Sequence, residues 1–431
     1  MILFKIIQLA FKNIMNSRKK SFSAILSVAS GFLALNLFQA YIVDTNILFD
    51  QTYENRSMLG HLLIRKESRL DLTTAEEQKE IIRFLTENGN EIEVVVRFLN
   101  FTGTLNSGSV QTVFSGYGYD IDQGRKIRGA SWQWNVVAGE PLDQAPNTRG
   151  LLLGRRLAET VKCKENQPLD VLISKAGYEA KTRGFQCENP SLQLSISTQT
   201  GQVNAAELKV LGILDGVFRD IDERLVVTSL AEAQSLMHSD EISMIALRLK
   251  EVGKGDELKS RFSQTVQKKH PQLQLKSWKE YEIGDFYNKS INFLFIFRNF
   301  ITLVVISIGA LSVMTTFYRL VFERTREIGT LLSVGFKSKH IFTLIISEAF
   351  FLSLLGIAIG VLASYIVAAL VNSLEIPYKL GMLSEAVPFA MTIQFKMLFL
   401  SALTLIFISI GICAFPVKRA LKMKVSDALR E

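Results

Sequence analysis

Four long apolar stretches divide an otherwise mixed sequence, at residues 22–43, 299–318, 349–374 and 397–417. The hydrocarbon core of a bilayer, about 30 Å thick, requires roughly 20 apolar residues in a helix. The pattern therefore predicts four transmembrane helices. We expect the second to extend backward past Arg298 and the third to begin near Ile341, which places Glu348 inside it.

Residues 46–290 show a different pattern, in which short apolar runs of strand length alternate with amphipathic runs of helical length. Residues 73–89 predict a helix with a Thr cap and a Gly stop. Alternating positions predict strands at 91–105 and 110–117, and the middle of the region is richer in strands. We expect an α+β domain with an inserted subdomain at about 125–240.

The charges are divided along the same boundaries. The chain has 431 residues, a mean hydropathy of +0.21 and 49 Lys and Arg against 41 Asp and Glu. Residues 46–290 contain 31 basic and 33 acidic residues, whereas the rest contains 18 and 8. The basic excess thus flanks the apolar stretches, which argues against nucleic-acid binding.

The basic flanks also predict an orientation, because Lys and Arg concentrate in cytoplasmic loops. They precede the first span, fill the 319–340 loop and follow the fourth span, whereas 373–394 contains a single Lys. Both termini and the 319–340 loop are therefore expected in the cytoplasm, with 44–290 outside. The first span is too long for a signal peptide and lacks a small-residue cleavage site, so we interpret it as an uncleaved anchor.

Motifs for catalysis or metal binding are absent from the sequence. It contains no phosphate-binding P-loop, no H-E-x-x-H and no G-x-S-x-G, and its four His residues lack metal-ligand spacing. We therefore expect no catalytic residue, no metal site and no bound cofactor. Arg298 and Glu348 are too few for an ion relay through the membrane, which disfavours an ion-coupled carrier.

Two of the three cysteines, Cys163 and Cys187, lie in the outside domain. An oxidising environment would allow a disulfide between them. Two independent thiols remain the alternative, because the sequence does not give the distance between the two Cα atoms.

The 319–340 loop carries a candidate interaction helix. Leu320, Ile328, Leu331 and Leu332 recur at helical spacing beside a charged face that includes Arg326 and Glu327. Such a helix can dock in a groove of a cytoplasmic partner. The alternative is a helix that lies on lipid headgroups.

The same loop closely resembles the signature of the MacB/FtsX-like ABC transporter permeases of the mechanotransmission type, which include lipoprotein-releasing LolC/LolE-like permeases. The resemblance rests on the ERTREIG run at 323–329, Gly335 and the Glu348–Ala349 pair. Residues 9–31 are similar to the family's amino-terminal helix and first span. Residues 415–431 are similar to its carboxy-terminal end, with Val425 where the family usually has Pro.

The resemblance implies a four-span α-helical transmembrane domain with a porter/sabre-like α+β domain inserted between spans 1 and 2. The implied domains are 1–45, with an amphipathic helix and the first span; 46–290, divided into a porter part at 46–124 and 241–290 and a sabre-like part at 125–240; and 291–431, the FtsX-like permease domain.

It further implies partners that supply what this chain lacks. Two copies of a separate cytoplasmic ATPase would use ATP and Mg²⁺, and the permease would pair with a second copy or a paralogue. A periplasmic carrier or adaptor and membrane lipid are further implied partners. The residues expected to contact the ATPase are Glu323, Arg326, Glu327, Ile328, Leu332 and Gly335.

Small residues at helical spacing predict close helix contacts in the membrane. In the third span, Gly356 and Gly360 form a G-x-x-x-G pattern, for which we favour packing within one four-helix unit. In the first span, Ser27 and Gly31 are the candidates for a dimer seam, by analogy with the family.

Three functions follow from the resemblance and compete. The favoured one is release or export of a lipoprotein or other lipophilic substrate from the bacterial inner membrane. The others are antimicrobial or peptide efflux with a periplasmic adaptor, and activation of an envelope enzyme as by FtsX, for which the outside domain is unusually large. A sensor is disfavoured, because no cytoplasmic output module is present.

Overall fold

The computed structural model describes residues 8–10, 12–14, 18–68, 71–128, 136–142, 149–166, 184–198, 200–216, 219–323, 325–374, 376–378 and 387–421. The chain divides into two compact units. The membrane unit comprises Met1–Asn46, Ile291–Glu375 and Phe389–Glu431, and the sheet unit comprises Ile47–Ser290 and Ile376–Pro388.

Five of the described helices belong wholly or largely to the membrane unit. They are α1 (Arg18–Gln51), α8 (Asp285–Glu323), α9 (Thr325–Ser333), α10 (Ser338–Ser373) and α11 (Phe395–Ala420). Four of the chain's described helical segments are long and apolar enough to cross a membrane, at Ser21–Arg56, Glu282–Thr315, Ser338–Ser373 and Phe395–Arg419. The four predicted spans and the helical class of this part of the chain are therefore confirmed.

Shorter helices belong to the sheet unit, and the first of them begins where its sequence predicts. They are α2 (Ala75–Glu87), α3 (Ile121–Arg128), α4 (Arg155–Thr160), α5 (Arg219–Asp222), α6 (Leu230–Met237) and α7 (Gly255–Phe262). Helix α2 starts at a reciprocal capping box, because the Thr74 hydroxyl accepts from the Glu77 N–H while the Glu77 carboxylate accepts from the Thr74 N–H. The predicted Thr cap is confirmed.

Fourteen strands lie in the part of the chain that the structure describes, and all but two of them have nine residues or fewer. They are β1 (Leu62–Lys66), β2 (Ile92–Asn106), β3 (Gln111–Tyr119), β4 (Val136–Gly139), β5 (Gly150–Gly154), β6 (Cys163–Glu165), β7 (Phe185–Cys187), β8 (Ser191–Ser197), β9 (Val203–Leu214), β10 (Leu225–Ser229), β11 (Met244–Leu249), β12 (Leu273–Ser277), β13 (Pro377–Tyr378) and β14 (Val387–Pro388).

Ten of these strands form one mixed sheet. Its order is β12-β1-β11-β2-β3-β10-β5-β9-β4, and β8 pairs with both β2 and β9. The pairs β3/β10 and β5/β9 are parallel, and the other pairs in this sheet are antiparallel. An α+β domain inserted between the first two membrane helices is confirmed.

The pairing closes on itself through six strands: β2, β3, β10, β5, β9 and β8. Strand β2 makes the closure, because its residues 98–106 pair with β3 while residues 103–106 also pair with β8. Inward-facing Phe101, Leu153 and Leu194 share one buried core. Strands from both sides of residue 125, the expected start of the insert, therefore enclose the same core.

Candidate functional site

Helix α9, in the loop between the second and third spans, has one buried and one exposed face. Thr325 and Ile328 are each 5% exposed. Ile328 belongs to the same buried cluster as Ile341 and Ile345 of α10. The Thr325 hydroxyl donates to the Phe322 carbonyl at 2.8 Å, which satisfies this buried polar group at the first residue of α9. One face of α9 thus packs against α10 within the membrane unit.

The end of α9 presents an apolar tip, residues 334–336. Val334 is 78% exposed and Phe336 is 46% exposed. Gly335 between them has φ +95°, which favours glycine. The Phe336 N–H donates to the Leu331 carbonyl at 3.0 Å, and the Gly335 N–H donates to the Leu332 carbonyl at 3.1 Å. This is a Schellman stop, so Gly335 ends the helix and holds the tip out.

The described side chains among the residues predicted to contact an ATPase differ in exposure. Glu327 and Gly335 are exposed and Leu332 is half-buried, whereas Ile328 packs inward and offers a partner no surface in this arrangement. The side chains of Glu323 and Arg326 lie outside the described residues.

Sequence reasoning missed Val334 and Phe336. The available signal was a pair of large apolar residues around a glycine, followed at once by Lys337 and Lys339. Apolar residues in such a polar setting are candidates for a contact surface.

A buried carboxylate lies behind α9. Glu348 of α10 is 2% exposed, and its Oε1 accepts from Asn13 Nδ2 at 2.7 Å. A cavity of about 50 Å³ adjoins this contact and is bounded by Glu327, Ile328 and Leu331 of α9. Asn13 was not singled out from the sequence, because a lone Asn in a basic amphipathic segment carries no local signal.

The small residues of α10 bring it against α1. A Cβ at Gly356 would lie 2.7 Å from Val28 Cβ, and one at Gly360 would lie 2.8 Å from Phe32 Cδ1. In the structure the G-x-x-x-G pattern thus serves a contact within the chain. In α1, Ser27 and Gly31 are half-buried, and the position of a Gly31 Cβ would lie 3.9 Å from Gly309 Cα of α8.

Helix α1 also carries a buried polar link to α11. Asn36 is 3% exposed, its Nδ2 donates to the Phe32 carbonyl at 2.8 Å, and its Oδ1 accepts from the Ser401 hydroxyl at 3.0 Å. An interhelical hydrogen bond of this kind fixes the rotation of two apolar helices.

In the sheet unit, Cys163 and Cys187 form a disulfide that joins β6 to β7. The unit also contains a groove of about 660 Å³ between α2 and the first residues of α3 and α6. Arg97 and Asp120 line the groove and form an ion pair with a 2.8 Å Nε–Oδ2 distance. No group of three or more His, Cys, Asp or Glu with the arrangement of a metal site is found among the described residues.

Residues 299–425 match the model of the FtsX-like permease C-terminal family. No curated protein matches the chain. Among solved structures, the extracellular domain of the noncanonic ABC-type transporter YknZ from Gram-positive bacteria is 12% identical, with a TM-score of 0.32, and the match covers 50% of this chain and 98% of that one. The periplasmic region of MacB from Actinobacillus actinomycetemcomitans is 12% identical, with a TM-score of 0.33 and coverages of 54% and 92%.

A domain of a putative permease protein from Porphyromonas gingivalis is 11% identical, with a TM-score of 0.26 and coverages of 50% and 86%. The family match covers α8 from residue 299 onward, α9, α10, α11 and most of residues 415–431. For residues 299–425, the resemblance found in the sequence is thereby confirmed, and this part of the chain is an FtsX-like permease C-terminal domain.

Proposed function

We propose that the chain is a permease subunit whose α9 and 334–336 tip dock into a separate cytoplasmic ABC ATPase. The observation that carries the proposal is that this segment has one buried side and one exposed apolar end. Its inner face packs on α10 through Ile328, and its end exposes Val334 and Phe336. An exposed apolar anchor on a short helix is typical of a docking element, because such anchors supply most of the binding energy of an interface.

ATP and Mg²⁺ would be used by the partner, and this chain would convert closure of two ATPase copies into motion of its membrane helices and sheet unit. The buried hydroxyls of α10 support a mechanical stroke rather than a hydrated pore. Ser353 donates to the Ala349 carbonyl at 2.8 Å and Ser364 donates to the Gly360 carbonyl at 2.7 Å. These groups are satisfied within their own helix and do not form a polar path.

The substrate class we propose is a lipoprotein or another lipophilic molecule released from the bacterial inner membrane. Both termini would be cytoplasmic, the sheet unit periplasmic, and the permease paired with a second copy or a paralogue. A substrate that starts in the bilayer needs no aqueous channel, which agrees with the apolar character of the four helices.

The docking proposal predicts that V334D/F336D loses the ATPase. Charges at this tip would have to be desolvated in an apolar groove, so co-purification of the co-expressed ATPase should fall at least about tenfold, equivalent to about 1.4 kcal/mol. The matched control is V252D, which changes a 65% exposed Val of the sheet unit and should leave the yield unchanged. Unchanged ATPase stoichiometry in V334D/F336D would contradict the proposal.

The substrate proposal is tested separately by depletion of the permease in its host. Release predicts that lipoproteins accumulate in the inner membrane while drug susceptibility is unchanged. Increased susceptibility with normal lipoprotein distribution would indicate efflux instead.

A further inference from the structure

We propose that Glu348 is a positioning residue that links the amino-terminal helical segment (residues 8–10 and 12–14) to α9 through its hydrogen bond with Asn13. The segment would then move together with α9 when the ATPase closes. The proposal rests on the proposed docking of α9 and adds a residue pair behind it. The contact joins positions that are 335 residues apart in the sequence, with an Nδ2–Oε1 distance of 2.7 Å.

The burial of Glu348 is the first argument. Its 2% exposure in an otherwise apolar helix is unfavourable unless hydrogen bonds compensate for the lost water. A purely structural position of this kind would be filled as well or better by an apolar residue of similar volume. The Asn13 amide supplies one of the compensating donors.

The second argument is the packing of the amino-terminal segment. Ala10 is 0% exposed and Ile14 is 7% exposed, and Ile14 belongs to the same buried cluster as Ile328 and Ile345. Ala10, Asn13 and Ile14 have the i, i+3, i+4 spacing of one helical face. This face as a whole, and not only the side chain of Asn13, therefore packs against other segments of the membrane unit.

The third argument is the cavity of about 50 Å³ next to the hydrogen bond. Four segments meet around it: Asn13 from the amino-terminal segment, Val321 from α8, Leu331 from α9, and Glu348 from α10. A displacement of α9 must therefore compress or open this cavity, or carry its neighbours along. Because packed interiors resist such volume changes, α9 and the amino-terminal segment are expected to move together.

The proposal makes a specific kinetic prediction for the complex of permease and ATPase in proteoliposomes. E348L and N13L should each lower the kcat of permease-dependent ATP hydrolysis by about fivefold, the lower end of typical coupling effects. The KM for ATP and the amount of co-purifying ATPase should not change, because the 334–336 tip is intact. E348Q retains an acceptor oxygen for Asn13 and should stay within about twofold of wild type.

Two further variants complete the test. T343L changes a polar residue of α10 that does not line the cavity, and it should behave as wild type. The double variant N13L/E348L should be no slower than either single variant, because partners in one contact are not additive. Wild-type kcat in E348L, an equal loss in E348Q and E348L, or additive losses in the double variant would each overturn the proposal. Failure of the wild-type permease to bind the ATPase would instead contradict the docking proposal.

Discussion

At the scale of single residues, the sequence identified groups whose role is local and missed those whose role depends on a distant partner. Thr74 and Glu77 form a capping box that four consecutive residues encode. Gly335 was singled out, and its left-handed φ explains why glycine stands there. Asn13 and Asn36 acquire their roles only from Glu348 and Ser401, which are hundreds of residues away.

Glu77 leads to a prediction about pH. Burial raises the pKa of this carboxyl, but hydrogen bonds from the Thr74 N–H, Lys66 and Gln272 more than offset the effect, so its pKa lies below the ordinary value. A lowered pKa stabilises the folded state above the unfolded-state pKa of about 4.3, and the stabilisation is lost as the pH falls through the folded-state pKa.

The variant E77Q should therefore weaken hydrogen-exchange protection of Ala75–Glu87 at pH 7 by roughly five- to thirtyfold, about 1–2 kcal/mol. The difference from wild type should shrink as the pH falls below about 4. E87Q is the control, because Glu87 is exposed and its pairing with Arg83 is a surface ion pair of little energetic value. Equal protection in E77Q and wild type at pH 7 would contradict the argument.

At the scale of elements, apolar periodicity was sufficient to predict where the helices lie. It did not predict which helices pack against each other. The four spans and α2 follow from apolar length and from caps. The small residues of α10 indicated a close helix contact, but only the structure identifies α1 as the partner through Val28 and Phe32. A glycine pattern states that a backbone can approach and does not state which one.

Helix packing predicts opposite outcomes for two Gly→Ala variants. The added methyl of G356A would meet Val28 Cβ at 2.7 Å and the Ile25 carbonyl oxygen at 2.9 Å, so the variant should lose about 1–3 kcal/mol of stability through overpacking. Gly411 of α11 has no atom within 4 Å of its Cβ position, and G411A should be neutral or slightly stabilising. Thermal unfolding in detergent measures the stability of both variants. Equal unfolding midpoints for G356A and G411A would contradict the α1–α10 contact.

At the scale of the whole molecule, the charge distribution predicts orientation, and labelling can test it. Val203 is 76% exposed in the sheet unit, and Ser338 is exposed at the start of α10. In a variant with Cys413 replaced by Ala, an impermeant maleimide should label V203C in intact spheroplasts and label S338C only after permeabilisation. The disulfide keeps Cys163 and Cys187 unreactive. The reverse labelling pattern would overturn the predicted topology.

The sequence by itself determined the number of membrane helices, the α+β class of the domain between the first two, and the permease resemblance. These properties depend on apolar length, periodicity and short motifs, which are local. Only the tertiary structure shows that β2 pairs with strands from both predicted parts of the sheet unit around one core. It also decides that Ile328 is buried while Val334 is exposed, and that Asn13 forms a hydrogen bond with Glu348. Each of these depends on which distant segments pack together, and the free energy of that packing is not encoded by any single stretch of the chain.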